Sequence, residues 1–228
     1  MTDDLDLEGL GRIPDPFAEA VGAAVPAPAS PPATTSPTRA DVGKRRLVAA
    51  AAAVLFEVVW VAFVERRHDL GALPAWSIAL GIAVPLGAAA LALGAANGKG
   101  RLGLGAPALW LASLCTAAPL VFGALTLAIS PADEDGRFWE LAVRCVGVSA
   151  VLTTPPLVLV VVAFRGAFVT ASTWRTAALG VACGGLAAAT MSLVCTHTGG
   201  LHVVLGHGLM MLVGGGVGAL LARRITQA

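Results

Sequence analysis

From Leu47 onward the chain alternates long apolar runs with short polar breaks, and the runs have the length of membrane-crossing helices. They cover residues 47–64, 73–96, 106–129, 141–164, 176–194 and 202–222. Each lies near the ~20 residues that carry a helix across ~30 Å of hydrocarbon. Barrel strands are shorter and alternate polar with apolar positions, whereas these runs are apolar throughout. An open-edged sheet would leave backbone N–H and C=O groups unpaired in lipid. The pattern predicts an all-α fold: a polytopic membrane bundle of six transmembrane helices over residues 44–228, with no soluble domain between the spans. The first run starts more than forty residues into the chain, so it reads as a retained span and not as a cleaved signal peptide.

Before that span the pattern changes twice. Residues 22–43 are small residues punctuated by Pro26, Pro28, Pro31, Pro32 and Pro37. Such a composition cannot bury enough apolar surface to fold, and reads as a disordered tether. Its reach is roughly 65 Å in polyproline-like geometry and about 25 Å as a flexible coil. Residues 1–21 differ again. Asp3, Asp4, Asp6, Glu8, Asp15 and Glu19 face the single base Arg12, and Leu5, Leu7, Leu10, Ile13, Phe17 and Val21 are interleaved with them. Asp15-Pro16 has the N-cap and first-turn chemistry of a short helix. A solvated tail needs no such hydrophobes. The mixture suits a segment that orders on a basic, grooved partner, with Asp3, Asp4, Asp6, Leu7, Glu8, Leu10 and Phe17 as the candidate partner-binding residues. Like charge excludes nucleic acid as that partner and opposes docking on an anionic leaflet. A basic protein remains, and nucleic-acid-binding proteins supply that surface.

Composition strengthens the membrane reading, with 57% hydrophobic and 13% charged residues where soluble chains carry about a quarter charged. Charge distribution then orients the bundle. With the N-terminus inside, ten Lys and Arg residues flank the spans on the cytoplasmic side and four, Arg66, Arg67, Arg137 and Arg144, on the other. The positive-inside rule therefore predicts a multi-pass protein with both termini cytoplasmic. The Ala-, Leu-, Val- and Gly-rich composition, with two lysines, one asparagine and no tyrosine, suggests a G+C-rich genome and points to a bacterial inner membrane. The acidic loop Asp133-Glu134-Asp135 and the turn after Cys195 then lie outside.

Polar groups inside the spans are the remaining candidate chemistry. A charged Glu57 in mid-span would cost several kcal/mol unless paired or protonated, so it must face the bundle interior. Arg144 near the outer end of the fourth span can snorkel or pair with Glu140 one turn earlier, and snorkelling is the expectation. Pro155-Pro156 should kink the same helix. Cys195, His197, His202 and His207 crowd the turn between the last two spans. With Glu57 they are the candidate signal-sensing residues. A metal is not expected there. His202 and His207 are five apart, roughly 140° around an α-helix, so hydrogen bonding between helices is the default. Cys145 and Cys195 both fall in the outer half, where a disulfide is geometrically possible. Gly184-Gly185 and Gly214-Gly215-Gly216 should let the last two helices approach closely. No nucleophile–base–acid trio, carboxylate pair, phosphate-cradling glycine loop or cofactor-linked motif is present in the accessible segments. Neither an enzyme nor a cofactor is expected.

The C-terminal third carries a family resemblance. The run from Arg165-Gly166 through LGVACGGLAAATMSLVC to Cys195, a short turn, His202, His207 and a glycine-rich last helix ending Arg223-Arg224 resembles bacterial six-helix membrane anti-sigma factors of the NrsF type. It covers residues 140–228 in detail and the rest in layout. It departs where an acidic residue is expected soon after the outer cysteine, since Thr196-His197-Thr198 follows Cys195. The resemblance implies an extracytoplasmic-function sigma factor held at the membrane through the N-terminal segment, and related regulators control carotenoid synthesis in response to light. Both lines converge on an acidic-hydrophobic tether that covers a sigma factor's basic and apolar surfaces. The alternative is a small membrane carrier, or a redox or metal-binding membrane protein, using Glu57 and the histidine turn.

Overall fold

The computed structural model describes residues 39–64, 66–97, 106–130, 138–164 and 172–226. The candidate partner-binding residues of segment 1–21 lie outside the described residues, as does the tether up to residue 38. Among the described residues every regular element is helical. α1 is Arg39–Phe63. α2 covers 75–97 and is built from Ala75–Ile78, a π-helical turn Ala79–Ala83 and Val84–Asn97. α3 is Ala106–Ile129, α4 Phe138–Ala163 and α5 Ser172–Val194. α6 covers 200–226 and is built from Gly200–Val203, a second π-helical turn Val204–Gly208 and Leu209–Thr226. All six contain a stretch long and apolar enough to cross a membrane. The ends differ from the hydropathy runs by a few residues.

The differences have local causes. α1 begins at Arg39, inside the range assigned to the tether, because Ala40, Lys44, Arg45 and Arg46 are good helix formers and a first turn in water needs no apolar side chain. α4 stays one continuous helix across Pro155-Pro156. Thr153 and Thr154 donate their hydroxyls to the carbonyls of Ser149 and Ala150, both at 2.7 Å, one turn before the prolines. The π turn of α2 ends two residues before Pro85. A proline ring collides with the carbonyl four residues back, and widening the helix at that turn makes room for it.

α5 is the centre of the bundle: 72% of its span is buried, against 17% of the α1 span. Helices in lipid gain little from apolar burial against one another, because the tails are as apolar as leucine, so close van der Waals packing must hold them. Glycine supplies it. A Cβ on Gly180 would collide with the backbone of Gly214, one on Gly184 with Met210, and one on Gly218 with Thr176. Gly180 and Gly184, one turn apart on α5, thus mesh with α6 running antiparallel to it. On another face Gly185 lies against Pro85 of α2. Phe122, Phe164, Leu179 and Met211 fill the core around these seams. Outward, Leu47, Leu55, Phe63, Trp110, Trp139 and Leu220 are exposed, the apolar sheath expected of a lipid-facing surface. At the end of the bundle where α1 begins, the Arg46 guanidinium sits 4.7 Å from the centre of the Phe164 ring, in cation–π geometry.

Candidate functional site

The far end of the bundle, where α1, α3 and α5 finish and α2, α4 and α6 start, gathers the polar chemistry. Cys145 lies two turns into α4, Cys195 just past the end of α5, and His202 and His207 on the first turns of α6. The ligand atoms of these four side chains all lie within 4.8 Å of one another. Cys145 Sγ and Cys195 Sγ are 3.7 Å apart, and Cys195 Sγ is 3.3 Å from His202 Nε2. The rings of His202 and His207 meet edge to face with centroids 5.6 Å apart. His202 and His207 are almost fully buried, at 2% and 1% exposure. Both cysteines are free thiols.

This corrects the expectation that His202 and His207 point to different sides of their helix. The 140° separation holds for an α-helix. Here the π turn Val204–Gly208 intervenes, and its i→i+5 spacing absorbs one extra residue, so positions five apart return to one face. α4 secures that turn. Ser149 Oγ donates to the Gly206 carbonyl at 2.8 Å. Gly206 itself is required by the fit, because an added Cβ would stand 2.9 Å from Cys145 Cβ.

The other singled-out residues lie outside this cluster. The His197 ring is 5.3 Å from that of His202, at the turn. Arg144 pairs with Glu140 at 3.2 Å, so the i,i+4 ion pair forms where snorkelling was expected, and both side chains stay well exposed. Glu57 is buried in the α1–α5 contact, beside Thr190 and Cys183 of α5 and apart from the cysteine–histidine cluster.

Sequence reading missed Arg67 and Asp69. Arg67 Nε and Nη2 bind Asp69 Oδ1 and Oδ2 at 2.7 and 2.8 Å, and Nη2 also reaches the Thr196 carbonyl at 3.3 Å. The Arg67 N–H donates to the Leu193 carbonyl at 3.2 Å. Arg67 thereby clasps the α1–α2 turn to the end of α5, and its hydrogen bonds hold the Asp69 carboxyl below its ordinary pKa. A basic residue just past an apolar run looks like a membrane-flanking cation. The only hint was the acid two positions later.

With this architecture in place, a family model described as negative regulator of sigma F, NrsF, matches residues 33–227. The chain belongs to the NrsF family. The NrsF match spans all six helices and both ends of the cysteine–histidine cluster, extending the likeness first drawn from residues 140–228. It begins after the acidic segment 1–21. The family description makes this membrane-spanning chain a negative regulator of a sigma factor, with a sigma factor as its partner. No curated protein and no solved structure matches it.

Proposed function

We propose that this NrsF-family protein is an anti-sigma factor of the bacterial inner membrane. It sequesters an extracytoplasmic-function sigma factor through its N-terminal segment and releases it on a signal. The observation that carries the reading is the family match across all six membrane-crossing helices. The ten-to-four division of basic residues supports cytoplasmic termini, which puts residues 1–21 in the compartment where a sigma factor works. There the acids Asp3, Asp4, Asp6 and Glu8 steer the segment to a basic surface, and Leu7, Leu10 and Phe17 anchor it in apolar grooves. A sigma factor so covered is kept from polymerase and promoter. Stress or light, the latter as in the carotenoid regulators the sequence resembles, is the kind of signal we assign to its release.

The test is capture from native membranes with the full chain and with a chain lacking residues 1–43. The full chain should retain a sigma factor. The shortened chain should still fractionate with membranes, since its spans are intact, and should lose the partner. Undiminished capture by the shortened chain would move the binding surface to the loops between the helices.

A further inference from the structure

We propose that Cys145, Cys195, His202 and His207 form a tetrahedral site for a thiophilic divalent cation of the zinc class, independent of how the protein holds its sigma factor. Two of the donor–donor distances match the edges of a ligand shell. An ion ~2.3 Å from each sulfur and ~2.0–2.1 Å from each imidazole nitrogen sets tetrahedral edges of about 3.8 Å between sulfurs and about 3.5 Å between sulfur and nitrogen. The corresponding distances are 3.7 Å for Cys145 Sγ to Cys195 Sγ and 3.3 Å for Cys195 Sγ to His202 Nε2. All four donors satisfy one mutual limit of 4.8 Å.

A second observation points the same way. Neither ring nitrogen of His207 has a hydrogen-bond partner, and the residue is 99% buried, being 1% exposed. A buried polar atom left without a partner is costly, and a bound ion is one of the few arrangements that offsets that cost. The π turn of α6 is the device that turns this ring toward the thiols, and Ser149 holds the turn in place. Such π insertions recur at functional sites.

Charge selects the ion. Two thiolates and two neutral imidazoles around a divalent cation make a neutral unit, which a helix bundle in lipid tolerates; a monovalent cation would leave a net negative charge buried. The soft donor set excludes magnesium and calcium, which take oxygen ligands. At the same end of the bundle a cavity of about 40 Å³ is lined by Arg67, Ser192, His197, Thr198, Val203 and His207. A bound ion would tie α4, the end of α5 and the start of α6 together.

The experiment uses the full chain purified in detergent under a phosphine reductant, stripped with a chelator and then given Zn2+ alone. One ion per chain should remain after gel filtration and raise the melting temperature. Co2+ in its place should give the visible bands of tetrahedral thiolate coordination, and X-ray absorption on the Zn2+ form should count two sulfur and two nitrogen neighbours. Cys195→Ser and His207→Gln should weaken Zn2+ binding by more than about a hundredfold, since loss of a mere outer partner already costs 10–100-fold. Cys115→Ser should bind as the parent does. The spectra are read on the unmutated protein, so they decide the matter even where a variant fails to fold. Absence of a stoichiometric ion, a coordination shell without sulfur, or uptake of Cu+ with none of Zn2+ would each overturn the assignment.

Discussion

Arg67 shows how one residue can decide the shape of an end of the bundle. Its bidentate pair with Asp69 is local, but the reach to Thr196 and the backbone bond to Leu193 fasten the first turn to the turn that carries His197. Arg67→Ala should therefore lower the melting temperature in detergent and expose the 195–199 turn to protease. Loss of neither property would show the clasp to be idle. Acid tests the same contact. Because hydrogen bonds from Arg67 depress the Asp69 carboxyl in the folded protein, its contribution is present above the ordinary carboxylate pKa of about 3.9 and is lost as pH falls through the lower folded value. The destabilisation on acidification below about pH 4 should accordingly be shallower in Asp69→Asn than in the parent. Asp69 is exposed to water, so the difference will be small.

At the scale of helices, the α5–α6 seam and the π turn are the two features that most constrain the fold. Gly180→Ala forces a methyl group into the backbone of Gly214, an overpacking that costs typically 1–3 kcal/mol, while Gly216, with nothing near it, should accept alanine within about 1 kcal/mol. Thermal unfolding of both variants in one detergent checks the contrast, and equal behaviour would contradict the glycine seam. Ser149→Ala should cost about 0.5–1.5 kcal/mol, because it removes the buried hydrogen bond to the Gly206 carbonyl. These elements also mark what could be read in advance. Six spans were legible, because ~20 apolar residues in lipid admit one structure. Gly184 and Gly214 were legible as packing positions, since small residues cluster where backbones touch. The partners Gly180 and Gly218 lie off the visible doublets and emerge only once the helices are in register. The π turn was not legible at all. Hydropathy cannot see an extra residue in a helix, and reading α6 as ideal α-helix sent His202 and His207 apart. Cys145, fifty positions before Cys195, joined them only through the tertiary packing of α4.

At the scale of the whole molecule the two ends of the bundle have different chemistry, basic where α1 begins and rich in thiol and imidazole where it finishes. Under the positive-inside rule a reporter active only outside the cytoplasm should be silent when fused at residue 228 and active near Asp135. An active C-terminal fusion would invert the arrangement and remove the acidic segment from any sigma factor. If that arrangement holds, charge and apolar anchoring within residues 1–21 should separate experimentally. Changing Asp3, Asp4, Asp6 and Glu8 to their amides should slow association with the sigma factor and flatten its dependence on salt, because steering scales with net charge. Replacing Leu7, Leu10 and Phe17 with Ala removes contacts worth about 1.5–3 kcal/mol for each large side chain fully buried in the partner, and should appear mainly as faster dissociation. Both variants leave the six spans untouched, so both should accumulate in membranes at the parent level and raise expression from the sigma factor's promoters. Repression by both at the parent level would show that the acidic segment is a solvated tail, and that the sigma factor is held by the loops between the helices.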